Sequence, residues 1–142
     1  MGERVGYTTG VFDLFHVGHL NLLREAKEKC DHLIVGVTTD ELVSYKHKKA
    51  VIPFEERIRI VEAIRYVDEV TPQADMDKLG AWRRLEFHVM FVGDDWKGHP
   101  KWKEYERQFA EVGVEIVYFP YTKGTSSTLI NETLLQIRNE GN

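Results

Sequence analysis

The sequence predicts an α/β fold, a doubly wound parallel sheet in one domain: five short apolar runs alternate with segments of helical rhythm. Three observations carry this reading. His32-Leu33-Ile34-Val35-Gly36-Val37 is nearly unbroken apolar, as a parallel strand covered on both faces must be. Ahead of it, Leu20, Leu22, Leu23 and Ala26 share one helical face while Arg24, Glu25, Lys27 and Glu28 take the other. A turn from Gly10 to His19 joins that helix to an earlier β-prone run, so strand, helix and strand form a right-handed βαβ unit.

Size and composition agree. A chain of 142 residues, taken as one domain over 1–142, has length enough for a real core. Its 42% hydrophobic and 30% charged shares are those of a soluble globular protein. A net charge of −4 offers no basic field for nucleic acid or an anionic membrane, so neither is an expected partner. No apolar run approaches the roughly 20 residues of a membrane helix, and Met1-Gly2-Glu3-Arg4 lacks a signal peptide's apolar core. Cys30 is the single cysteine, a core or helix-end thiol with no internal partner. These features predict a cytoplasmic protein.

Taken in order, Val5 to Thr9 reads as a short buried strand and Gly10 as a close turn, with the first helix starting near Gly18. After the second strand, Thr38-Thr39-Asp40-Glu41 begins a helix capped by Thr39 or Asp40. This short helix runs into Lys46-His47-Lys48-Lys49, which is either a solvated charge cluster or, following a strand's carboxyl end, a phosphate-facing loop. Pro53 opens the next helix, with Ile58, Ile60, Val61, Ala63 and Ile64 in a 3.6 rhythm. Arg65 to Val70 leads to a short third strand, and Asp75 to Glu86 suggests a helix. His88 to Val92 is a fourth strand ending at Gly93-Asp94-Asp95-Trp96. There the aspartates either hold a cation or cap a turn, and Trp96 either stacks on a base or covers the sheet edge. Lys101 to Val112 is amphipathic and closed by Gly113; Glu115 to Phe119 is the fifth strand, stopped by Pro120. Ser126-Ser127-Thr128 starts a last helix whose apolar face is Leu129, Ile130, Leu134 and Ile137. No repeat, linker or low-complexity tract divides the chain.

The chemistry concentrates where the first strand meets the first helix. Such a junction aims backbone N–H groups and the positive end of a helix dipole at one spot, the natural seat of a phosphate. His16 and His19 stand there, placed to hold the charge of a phosphoryl transition state. A plainer alternative has one imidazole capping the helix and the other packing. G-x-G-x-x-G is absent after the first strand, which speaks against a redox dinucleotide protein.

Five stretches resemble one family. Gly10-Val11-Phe12-Asp13 with His16-Val17-Gly18-His19 is similar to the H-x-G-H signature of the nucleotidyltransferases that include the cytidylyltransferases. Thr122-Lys123-Gly124-Thr125-Ser126-Ser127-Thr128 resembles that family's R-T-x-G-I-S-T-T segment. Lys46-His47-Lys48-Lys49-Ala50 resembles its K-x-K-K-A pattern. Arg65-Tyr66-Val67-Asp68-Glu69-Val70 and Gly93-Asp94-Asp95-Trp96 resemble the glycerol-phosphate members of the cytidylyl branch. The likeness runs from about Tyr7 to Leu134.

The resemblance implies a Rossmann-like five-stranded sheet of order 3-2-1-4-5. It implies transfer of CMP from CTP to a small phosphorylated alcohol, glycerol 3-phosphate, with pyrophosphate released and Mg²⁺ carried on the triphosphate rather than by a protein cage. His16, His19, Lys46 and Lys48 take the catalytic places. Gly10, Val11, Phe12, Gly18, Arg65, Gly93, Asp94, Trp96, Thr122, Gly124, Ser126, Ser127 and Thr128 line the nucleotide together with His16, His19 and Lys48. Lys46 and Asp13 meet the acceptor. Arg57, Arg65 and Asp68 are implied to form a buried cluster near the site and a homodimer contact. The chain departs from the pattern in having Tyr121 where the family has arginine, which removes a bidentate phosphate donor. Lys123, two residues along an extended segment, faces the same way and is the nearest substitute. Competing readings are transfer to another sugar, alcohol or cofactor phosphate, adenylyl transfer, and a non-catalytic nucleotide-binding module.

Overall fold

A computed structural model describes residues 3–45, 49–94, 97–120 and 127–140. In chain order they form β1 (Val5–Gly10), α1 (Val17–Glu28), β2 (His32–Thr38), α2 (Asp40–Tyr45), α3 (Phe54–Glu62), β3 (Glu69–Gln73), α4 (Lys78–Leu85), β4 (Val89–Gly93), α5 (Pro100–Glu111), β5 (Glu115–Phe119) and α6 (Ser127–Glu140). The five strands are parallel and lie in the order β3-β2-β1-β4-β5. This is the expected doubly wound, Rossmann-like sheet, and all loops that follow strands gather at its carboxyl edge.

Period-two alternation explains the two cores. Leu33, Val35 and Val37 of β2 and Val89 and Phe91 of β4 join Leu23 and Ala26 of α1 and Val61 of α3 on one face. Ile34, Met90 and Val92 point the other way, onto Ala81 of α4 and Trp102 and Phe109 of α5. Both faces of β2 and β4 are therefore covered, which is why their sequences are continuously apolar.

Several boundaries differ from the sequence reading. α1 starts at Val17 because His16 is extended and serves as its N-cap. The helical pattern expected over 75–86 narrows to Lys78–Leu85, because Asp77 caps it with a hydrogen bond from the Gly80 amide. β3 runs through Pro72, which an edge strand bonded only to β2 tolerates. Cys30 lies just past α1, half-buried, its thiol donating to the Ala26 carbonyl. Among the described residues no helix is long and apolar enough to cross a membrane.

Candidate active site

The site begins with a strained turn. Gly10 ends β1, where a Cβ would come within 2.9 Å of the Phe12 ring. Phe12 and Leu14 both have left-handed backbones, with φ of 53° and 50°. Each such residue costs on the order of 1–3 kcal/mol, so the surroundings must hold it. Burial of the Phe12 ring in the core beside Phe15 and His19 does so. The turn also drives Asp13, between the two, to 6% exposure.

His16 and His19 cap α1 together. His16 Nδ1 accepts from the Gly18 amide at 3.0 Å, and His19 Nδ1 accepts from the His16 amide at 3.2 Å. Two imidazoles thus make the reciprocal bonds that Ser and Glu make in an ordinary capping box. The arrangement goes beyond the alternative in which one ring caps and the other packs: both cap, and His19 also packs against Phe12 and Phe15. An accepting Nδ1 carries no proton, so in each neutral ring the proton sits on Nε2. Burial and then the neighbouring His16 depress His19 to a pKa of about 4, against a weaker opposing pull from Asp13. Burial lowers His16 as well. At neutral pH the pair is uncharged. With ring centroids 4.0 Å apart, it presents two Nε2–H donors side by side at the positive end of a helix.

Behind this pair a buckle of hydrogen bonds joins three loops. Asp13 accepts from the amides of Val51 at 2.7 Å and Ile52 at 2.9 Å. Arg57 is 1% exposed and fully engaged. Its Nε donates to the Ile52 carbonyl, one terminal nitrogen donates to the carbonyls of Val11 and Thr38, and the other meets Asp40 Oδ1 at 2.6 Å. Asp40 also accepts from the Phe54 amide, and that bond followed by Arg57 holds its carboxyl below the usual range. The loop that follows the lysine run is thereby pinned to the histidine turn.

Asp13, which the resemblance implies for the acceptor, also anchors the loop, each of its oxygens accepting a backbone amide. One expectation changes here, that of the buried cluster. Arg57, Arg65 and Asp68 do not form one cluster. Asp68 pairs with Lys27 at 2.6 Å and with the Leu33 amide, at the amino-terminal edge of the sheet. Arg65 is exposed there, over the Tyr66 ring. Both precede β3, so within one chain they stand a strand's length from the carboxyl edge, and Arg65 is not among the groups gathered at that edge.

The remaining assignments divide by place. Gly93 ends β4 and Asp94 follows it, exposed, its carbonyl accepting the Lys97 amide. Ser127 and Thr128 open α6 after β5. Lys46, Lys48, Asp95, Trp96 and Tyr121 to Ser126, including Thr122, Lys123 and Gly124, lie outside the described residues. Sequence reasoning missed the Asp40–Arg57 pair and His99, whose Nδ1 caps α5 by accepting the Lys101 amide at 3.2 Å. The signal for His99 was the His-Pro dipeptide at a helix start.

A five-stranded parallel sheet with a helix-capping histidine pair after its first strand defines the class, an α/β protein of Rossmann-like build. The chain belongs to the cytidylyltransferase-like family, whose model matches residues 7–133. It is 41% identical to the glycerol-3-phosphate cytidylyltransferase of Bacillus subtilis over 128 residues, 89% of this chain and 94% of that one. It is 38% identical over 109 residues, 77% of this chain and 79% of the relative, to the FAD synthase of Archaeoglobus fulgidus. Among solved structures, the lipopolysaccharide core biosynthesis protein of Thermoplasma volcanium superposes with a TM-score of 0.72 at 21% identity, over 87% of this chain and all of that one, a likeness of fold.

Proposed function

We propose that the protein transfers CMP from CTP to glycerol 3-phosphate, forming CDP-glycerol and pyrophosphate. An acceptor phosphate oxygen attacks the α-phosphorus in line, and the bond to the β-phosphate oxygen breaks as pyrophosphate leaves. The paired Nε2–H donors of His16 and His19 carry this reading. They are fixed before substrate arrives and aimed where negative charge accumulates, so stabilising it needs no reorganisation. Lys46 and Lys48 are proposed to bridge the acceptor phosphate and CTP; Asp13 and Arg57 anchor Val51 and Ile52, further along the chain. Ser126, Ser127 and Thr128 would receive the outer phosphates. Mg²⁺ is proposed to enter with CTP as part of the substrate.

The identity to a glycerol-3-phosphate cytidylyltransferase over nearly both whole chains supports the choice of nucleotide and acceptor. We also propose a homodimer, supported by the exposed apolar side chains Leu134, Leu135 and Ile137 on α6. The test of the reaction is pyrophosphate release with each of four nucleoside triphosphates against phosphorylated alcohols and sugars. CTP with glycerol 3-phosphate is expected to exceed every other pair. Preference for ATP would move the chain to the adenylyl branch, and CTP binding without turnover would make it a nucleotide sensor.

A further inference from the structure

His19 has three aromatic neighbours. The Phe12 ring meets it edge-on with centroids 5.4 Å apart, the Phe15 ring lies 5.2 Å away at a tilt of 38°, and the His16 ring lies at 4.0 Å. The three differ in what else they do. Phe12 is 4% exposed and belongs to the core, and His16 caps the helix in its own right. Phe15 is half-buried at the rim of that core and carries no polar atom. It stands just before the N-cap of α1, where an apolar side chain commonly staples a helix by meeting the fourth residue within it. That fourth residue is Leu20. The Phe15 ring lies against His19, one position short of it.

The bond that orients the imidazole is long: Nδ1 accepts from the His16 amide at 3.2 Å. The outer torsion of a histidine is broad, so one such bond leaves the ring room to swing. Turned over, the ring would present Cε1 where Nε2–H is needed. Packing between Phe12 and Phe15 opposes that turn. We infer that Phe15 is a positioning residue: its ring, packed against the imidazole, holds His19 with Nδ1 on the His16 amide and Nε2–H left for the substrate. Among the described residues the titratable groups that act on His19 are His16 and Asp13, and Asp13 also holds the amides of Val51 and Ile52. Burial is the largest cause of the His19 pKa of about 4, with His16 adding to it and Asp13 opposing it. Without the Phe15 ring, water reaches the imidazole and the pKa climbs back toward 6.5. A protonated Nδ1 cannot accept the His16 amide, so the orienting bond weakens with the cover. The inference rests on the nucleotidyl-transfer reading above for the use made of Nε2–H.

The test is Phe15→Ala beside Phe15→Leu, which restores an apolar cover, and Val89→Ala, which truncates the same core at the start of β4, away from the turn. Thermal melting checks that all three fold. Nitrogen NMR reads the tautomer and pKa of His19, and pyrophosphate release from CTP with glycerol 3-phosphate reads kcat and KM. In Phe15→Ala the His19 pKa is expected to rise by about one pH unit. Its kcat should fall about tenfold, less than for loss of the donor itself, with both KM values within about threefold, as for an interaction made in the transition state. Phe15→Leu should lie close to the parent in both readouts, and Val89→Ala should lose stability and change neither. Phe15→Ala with His19 unmoved, or with kcat unchanged in an active parent, overturns the inference, as does a Val89→Ala protein that moves His19 equally. A parent whose His19 titrates near 6.5 overturns it whichever variants fold. A moved His19 in Phe15→Ala beside a parent that releases no pyrophosphate supports the cover and overturns the transfer reading alone.

Discussion

At the scale of single residues, the two roles of His16 separate. Asparagine offers an oxygen near the place of Nδ1 and is among the best N-caps, but has nothing near Nε2. His16→Asn is therefore expected to keep the melting temperature within a few degrees while turnover falls roughly 10²–10³-fold, the scale of one lost preorganised donor. His16→Ala should lose the same turnover and in addition about 1 kcal/mol of stability. Near-normal kcat in folded His16→Asn would remove the histidine pair from the mechanism. Nitrogen NMR of the imidazoles at pH 7 should show both rings protonated on Nε2 and bare on Nδ1.

The same pair sets an acid limit on stability. His19 titrates at about 4 in the folded protein against an ordinary 6.5, so between those values the unfolded chain binds the extra proton. Stability thus rises with pH in that window. The contribution is whole above pH 6.5, is lost progressively on acidification toward 4, and changes no further below. Urea unfolding of the parent and of His19→Asn at intervals from pH 7 to 4 should show a shallower slope in the variant. Equal slopes would mean His19 is not held neutral by the fold.

At the scale of elements, the buckle joins β1, β2, α2 and α3 through one guanidinium. Arg57→Met would leave the carbonyls of Val11, Thr38 and Ile52 without their donor and Asp40 without its cation. Removing one partner of such a buried network costs on the order of 3–5 kcal/mol; Asp40 is half exposed and can rehydrate, so the lower end is expected. Asp13→Asn is milder. It keeps one acceptor oxygen and strands one of the amides of Val51 and Ile52, about 1–3 kcal/mol. Hydrogen exchange at those two amides should quicken and turnover should fall together. Fast exchange with unchanged turnover would show that the loop needs no anchoring.

At the scale of the whole molecule, a dimer would cover the apolar side of α6, so light scattering at micromolar concentration should give twice the mass of one chain. A monomer with full activity would overturn the assembly. Much of the architecture was legible because its cause is local. Continuous apolar runs mark strands covered on both faces, and the Gly10–His19 stretch marks a phosphate-directed helix start. The site was less legible. His16 and His19 were visible as a pair, but their shared tautomer depends on where two amides point. Arg65 and Asp68 were placed at the crevice by resemblance, yet they precede β3, and in a parallel sheet the residues before a strand lie at the other edge.

The sequence by itself determined the element order, the alternation of buried side chains and the turn that seats the histidines, since each follows from spacing along a short stretch of chain. Only the tertiary structure decided which distant groups meet. Arg57 reaches a carbonyl 46 residues away, and the Tyr7 ring reaches across a glycine on the neighbouring strand. Such meetings are set by sheet order and register, where the packing of the whole chain selects among pairings that local sequence leaves equally open.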